Sequence, residues 1–328
     1  MRAIRFSQFG NPRDVLALEN IPSPEPGSGQ VRVRFTHRPI NPSDLLTVQG
    51  IYPVAAKPPA SPGLEGVGRV DALGEGVSGL SIGQRVISLA AAPGTWAERF
   101  VIPADRALPM PDAVPDPVAI QTLANPVTAW ALVNDEIDMQ PGEWLLQTAA
   151  ASTLGKLVIQ LARRRGFRTL NVVRRRAHVD DVLAAGGDAV VCTEDESLSE
   201  RVSRIVGADG VAWALDSVGG EVGAEVVSCL RPGGTMLSVG LLSGTTLGTL
   251  DARSLIFNGT TVRGFWIIEW FGRRPADVIG RALEEVVTLL ATGELRLSVE
   301  AQYPLDDFRE AVDHSTRPGR HGKILLVG

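Results

Sequence analysis

The chain has 328 residues, 44% hydrophobic and 21% charged, an ordinary globular balance with room for two domains and sizeable cores. Its formal net charge of -5 and pI near 5.5 speak against a nucleic-acid or anionic-membrane partner, and no uncharged apolar run reaches the length of about 18 residues that marks a membrane span. Two cysteines (Cys192, Cys229) and four scattered histidines (His37, His178, His314, His321) show no CxxC or HxxxH spacing, so neither a metal site nor a disulfide framework is expected.

The opening "MRAIRFSQFG" alternates straight into a strand, with no signal-peptide apolar region and no amphipathic transit segment, so a cytoplasmic protein is the expectation. Residues 1–122 read as β-rich: "QVRVRFTHRPI", "EGVGRVDALG" and "QRVISLA" are short alternating or β-branched runs between Gly/Pro turns. "IYPVAAKPPASPGLEG" carries too many prolines for a helix or a central strand.

From residue 123 strands and helices alternate. "EWLLQTAA" reads as a buried strand, and the helix that follows stacks Leu154, Leu157, Val158, Leu161 and Ala162 on one face, with Ser152 as N-cap and Gly166 as stop. "RTLNVV", "DAVVCT", "VAWALDSVG" and "TMLSVG" are further strands, with helices between them. This repetition predicts an α/β chain with a doubly wound parallel sheet over 123–262, its ligands bound outside the strands' carboxyl ends. The tail, 263–328, with amphipathic helices in "PADVIGRALEEVVTLLATGEL" and "LDDFREAVDH" and a closing strand "KILLVG", is expected to fold back on residues 1–122, with the chemistry in the cleft between the domains.

The first strand–turn–helix of the sheet carries "TAAASTLG", in which Gly155 is the single glycine of a phosphate loop; small Ala150, Ala151 and Ser152 still let a pyrophosphate approach the helix N-terminus. The second strand decides between cofactors. An acid at its end, about 20 residues past the loop, would accept bonds from a ribose 2′-hydroxyl. Here Arg174, Arg175 and Arg176 begin 19 residues past Gly155. Planar guanidinium forks suit a phosphate, so the triplet reads as a 2′-phosphate clamp and selects NADPH. A solvated basic loop is the alternative in a chain whose 32 basic residues include just three lysines (57, 156 and 323).

The stretches "NPSDLLTVQGIYP", "PGLEGVGRVDALGEGVSGLSIGQRVI", "GTWAERFV", "ANPVTAWAL", "RTLNVVRRR", "SVGG", "GGTMLSVG", "SLIFNGTTVRGFW" and "GKILLVG" resemble, from end to end, the zinc-free medium-chain dehydrogenase/reductase superfamily. Within it the chain is most similar to the mitochondrial-type trans-2-enoyl-thioester reductases, with the quinone oxidoreductases as cousins. The resemblance implies a GroES-like β domain (1–122 and 263–328), a Rossmann domain (123–262), bound NADPH, and hydride transfer to an activated C=C bond. It implies Tyr52 of the "QGxY" segment as the catalytic residue; a phenol stays protonated near neutral pH and can donate to a developing enolate oxygen. A Pro-flanked aromatic that merely packs is the alternative.

Cofactor neighbours implied by the matched motifs are Asn41; Asn125 and Thr128 on the nicotinamide side; Ser152, Thr153 and Leu154 along the pyrophosphate; and Arg174, Arg175 and Arg176 on the adenosine phosphate. Gly240, Leu241 and Leu242, then Phe265 and Trp266, are implied at two further strand ends, and Lys323 from the C-terminal segment. Trp270 reads either as a substrate-pocket wall or as core. Two departures stand out: Thr153 replaces a glycine common in the family's loop, and Pro53 follows the tyrosine where enoyl reductases usually have glycine. The expected substrate is an enoyl thioester or small enone, and the family habit is a homodimer through "TTVRGFW". A quinone reductase and a non-catalytic NADPH-binding sensor are the competing readings.

Overall fold

The computed structural model describes residues 1–54, 56–88 and 93–328. The chain forms two compact units: Met1–Ala124 with Val287–Gly328, and Asn125–Val286. No described helix is long and apolar enough to cross a membrane.

The first unit is built on the long strand Gln30–Pro39, which pairs antiparallel with Val67–Leu73, Arg99–Pro103 and Lys323–Val327. Alternation sends Val31, Val33 and Phe35 to one buried face, where they meet Val70, Val86 and Ile102. The closing strand Lys323–Val327 pairs in parallel with Val299–Pro304. Helix Phe308–Thr316 buries Phe308, Ala311, Val312 and Ser315, the i, i+3, i+4, i+7 stripe, against a core containing Ile4, Phe6, Leu16 and Ile324. Arg38 is fully buried and donates to the carbonyls of Phe35, Thr95, Ala97 and Gly328; desolvation pulls its pKa down to about 9.

The second unit runs β1 (Trp144–Gln147), α1 (Thr153–Arg164), β2 (Arg168–Val173), α2 (Val179–Ala184), β3 (Ala189–Cys192), α3 (Leu198–Val206), β4 (Val211–Asp216), α4 (Gly220–Ser228), β5 (Leu230–Ser238) and β6 (Thr261–Gly264). All six strands pair in parallel in the order β3-β2-β1-β4-β5-β6. Their carboxyl ends therefore share one edge, and the order reverses between β1 and β4, where such sheets hold ligands. The α/β architecture expected from the sequence, a β-rich unit plus a doubly wound parallel sheet, is present.

The second unit ends later than the expected 262 and includes everything to Val286. The reason is polar as well as apolar. β6 is hydrogen-bonded to β5, and Glu136, nearly buried, accepts from Arg263, Arg273 and Arg274. Trp270 is fully buried with its indole N–H donating to Asp135 at 2.7 Å. It is a core residue of this unit and not a pocket wall.

Candidate functional site

The phosphate turn begins where β1 ends. Ala149 takes φ +49, the one positive φ outside glycine among the described residues, and brings the chain round to Ser152. Ser152 Oγ accepts from the Gly155 N–H at 3.0 Å and caps α1, a 12-residue helix whose first N–H groups otherwise have no partner. Glycine is required at 155: a Cβ there would lie 2.5 Å from the Ala150 carbonyl oxygen. Ser152, Thr153 and Leu154 are half-buried at this N-terminus, which is a ready anion site.

Two buried polar links hold the turn, and no local pattern in the sequence announces them. Thr148 Oγ1 donates to Asp216 at the end of β4 (2.7 Å), and the Asp216 carboxylate also accepts from the N–H groups of Val218 and Gly219. This braces the switch point between β1 and β4. Gln147 Nε2 donates to Asn171 Oδ1 in β2 (2.7 Å) and to the Gly155 carbonyl, tying β1, β2 and α1 together.

The arginine triplet follows β2 directly. Arg174 is exposed and Arg175 half-buried, and among the described residues no hydrogen bond or ion pair engages either guanidinium. Arg176 differs: it is 79% exposed and pairs with Asp195 at 2.9 Å. A hydrogen bond from the Cys192 thiol, then Arg176, hold the Asp195 carboxyl below its usual range. No acid occupies the end of β2 itself.

The remaining sheet residues lie on the same edge. Gly240 follows β5, where a Cβ would lie 2.7 Å from the Ser217 carbonyl; Leu241 and Leu242 beside it are exposed. Phe265 and Trp266 follow β6, Phe265 buried with its N–H on the Ser238 carbonyl and Trp266 half-buried. Asn125 lies in a π-helical turn, Leu123–Val127, that accommodates Pro126, and Thr128 begins the next helix. The second unit thus gathers the loop, the triplet and the two strand-end segments on one sheet edge.

In the first unit Asn41 and Lys323 come together. Asn41 precedes helix Pro42–Val48, with Pro42 at its first turn, and Asp44 reaches back to accept from the Asn41 N–H at 2.8 Å. Lys323 Nζ donates to Asn41 Oδ1 at 2.7 Å, and Asn41 Nδ2 donates to Glu65 at 2.8 Å. Gly63 and Gly66 let the segment carrying Glu65 press inward; a Cβ at either would lie 2.3 Å from Trp96 or Phe35 respectively. Tyr52 lies half-buried in the loop after the helix, its N–H on the Leu46 carbonyl at 3.2 Å. Asp44 and Glu65 were not among the expected site residues; the partners of Glu65 are 24 and 59 positions away, whereas Asp44 pairs locally with Asn41 in the Asn-Pro-Ser-Asp cap.

Two family models match: the alcohol dehydrogenase GroES-like domain over residues 27–112 and the zinc-binding dehydrogenase domain over 153–287. The name of the second implies zinc, and the residues do not fit it. Among the described residues no three His, Cys, Asp or Glu side chains cluster. Glu65 is taken up by Asn41 and the Ala124 N–H, and both cysteines are buried in the second unit with burial pushing their thiols up, Cys229 to about 12. The chain is 32% identical to the mitochondrial enoyl-[acyl-carrier-protein] reductase of Rattus norvegicus, covering 100% of this chain and 88% of that protein. A Bacillus thuringiensis protein assigned as an NADPH:quinone reductase superposes with TM-score 0.93 at 33% identity, covering 100% and 98%. The quinone oxidoreductase of Escherichia coli, solved with NADPH, gives 0.91 at 26% identity over 100% of both chains. Matched in order by both domain models and along its whole length by a relative at 32% identity, the chain is an oxidoreductase that belongs to the medium-chain dehydrogenase/reductase superfamily.

Proposed function

We propose that this protein is an NADPH-dependent reductase of the C=C bond of an α,β-unsaturated carbonyl, with a trans-2-enoyl thioester as its substrate. One observation carries the cofactor: Arg174 and Arg175 stand uncommitted at the carboxyl end of β2, where an acid would select NAD. The full-length likeness to an enoyl reductase supports the substrate class.

Bound NADPH would supply a hydride to the substrate β-carbon. The chain's own residues do the rest. The Ser152-capped end of α1 receives the pyrophosphate, with Thr153 and Leu154 alongside, and the arginines take the 2′-phosphate. Asn125, Thr128, Gly240, Leu241, Leu242, Phe265 and Trp266 border the cofactor, and Asn41 and Lys323 complete its contacts. The Tyr52 phenol donates a hydrogen bond to the carbonyl oxygen as negative charge develops there, and the α-carbon of the resulting enolate takes a proton from water, leaving the saturated thioester.

The test compares NADPH oxidation with crotonyl-CoA, hexenoyl-CoA and benzoquinone, for the wild type and Tyr52→Phe. Turnover of the enoyl thioesters, lowered in Tyr52→Phe with NADPH affinity kept, is the expected result. Activity on benzoquinone alone would favour the second reading, which the quinone reductase structures support. Tight NADPH binding without turnover of any of them would make the protein a sensor. We further propose a homodimer formed through β6.

A further inference from the structure

Four buried polar groups in the first unit form a network larger than a helix cap requires. Asn41, Asp44, Glu65 and Lys323 are each at most 6% exposed. An ammonium only donates and an ionised carboxylate only accepts, so the direction of each bond is fixed. Lys323 Nζ donates to Asn41 Oδ1 (2.7 Å), Asn41 Nδ2 donates to Glu65 Oε2 (2.8 Å), and the Ala124 N–H donates to Glu65 Oε1 (2.8 Å). Asp44 accepts instead from the N–H groups of Asn41 (2.8 Å) and Leu64 (3.1 Å). Among the described residues Asn41 Oδ1 is the one acceptor within hydrogen-bond distance of the Lys323 ammonium. The described residues thus leave two of its three N–H bonds uncommitted in a buried position, where an unmade bond is costly.

We propose that Glu65 is a positioning residue: by locking the Asn41 amide with its oxygen toward Lys323, it aims the Lys323 ammonium at an oxygen of the bound nicotinamide cofactor. The identity of that ligand rests on the function proposed above. Glutamine cannot replace Glu65. Two donors converge on the carboxylate, whereas a glutamine offers one oxygen and one NH2. Glu65→Gln must set its NH2 against the Ala124 N–H, or flip the Asn41 amide and turn an NH2 toward the ammonium. Both outcomes misdirect Lys323.

Charge follows the same geometry. Burial pulls the Lys323 pKa down to about 8, against Glu65 and Asp44, which favour the ammonium, and with Arg320, which opposes it. Burial likewise pushes Glu65 upward and Asp44 to about 7. Binding that needs the ammonium is present below that Lys323 value and lost as pH rises through it. Removing the Glu65 charge moves this limb to lower pH.

The experiment is a fluorescence titration of NADPH across neutral to alkaline pH on the full chain, for the wild type, Glu65→Gln and Glu65→Asp. Glu65→Gln should weaken binding roughly tenfold to a hundredfold and shift the alkaline limb downward, with partial rescue by Glu65→Asp. Should Glu65→Gln fail to fold, the wild type carries the test alone. Lys57, Lys156 and Lys323 are its only lysines, so a 13Cε-lysine-labelled sample follows each one separately by NMR. Lys323 should titrate well below the ordinary lysine range and move upward when NADPH binds. A wild type that binds NADPH while its Lys323 titration stays still, or a folded Glu65→Gln with wild-type affinity and limb, overturns this inference alone. A wild type that binds no NADPH overturns the proposed function with it.

Discussion

The place of Arg174 and Arg175 was legible in the sequence because the pattern is local: a strand ends at Val173, and three guanidinium groups follow where an acid would select NAD. The Ser152 cap was legible for the same reason. Pairings between residues distant in sequence were not. Thr148 and Asp216 bond across 68 positions, Asn41 and Lys323 across 282, and no spacing rule connects them. The structure also separates the three arginines, since Arg176 already has Asp195. Replacing Arg174 and Arg175 with glutamine should raise the NADPH KM tenfold to a hundredfold, about 1.5–3 kcal/mol for charge-assisted bonds. NADH kinetics should barely change. Arg176→Gln should cost less, because its guanidinium is shared. Steady-state kinetics with both cofactors measures this, and an equal loss for NADPH and NADH would refute the 2′-phosphate assignment.

At the level of elements, the sheet's helices announced themselves through period and caps, whereas the segments that hold the second unit together beyond residue 262 did not. β6 is four residues long, and its assignment depends on hydrogen bonds to β5 and on three arginines that meet at Glu136, 127 to 138 positions away. Nothing in "TTVRGFW" says which sheet it joins. The docking of α1 on β1 was half legible. The sequence marks Gly155 as a phosphate-loop glycine, and the structure adds that it is a contact glycine, set against the Ala150 carbonyl. Gly155→Ala must push α1 away from the turn, an overpacking cost of about 1–3 kcal/mol. A lowered melting temperature together with weaker NADPH binding is expected, since the same displacement moves the helix N-terminus. Lost stability with unchanged NADPH affinity would mean that the N-terminus of α1 is not where the cofactor's phosphates lie.

The molecule as a whole is one chain that leaves its first unit at Ala124 and returns to it at Val287, so the second unit is an insertion with two crossing points. Its sheet is open at both ends, β3 on one side and β6 on the other. The β6 side carries the stronger signal for association. Leu255, Ile256 and Phe257, shortly before β6, are 40%, 70% and 78% exposed, an apolar cluster that a lone subunit would leave in water. Among the described residues β6 also presents an unpaired backbone edge, which a second copy of the same strand would satisfy across a two-fold axis in the proposed homodimer. Light scattering on the purified protein should give twice the 34.9 kDa chain mass. Phe257→Asp places a charge in that apolar cluster and should shift the equilibrium to monomer while the circular dichroism spectrum holds, because Phe257, 78% exposed, contributes little to its own subunit's core. A wild type that runs as a monomer at assay concentration would reject the dimer. A Phe257→Asp protein that stays dimeric would move the interface away from β6.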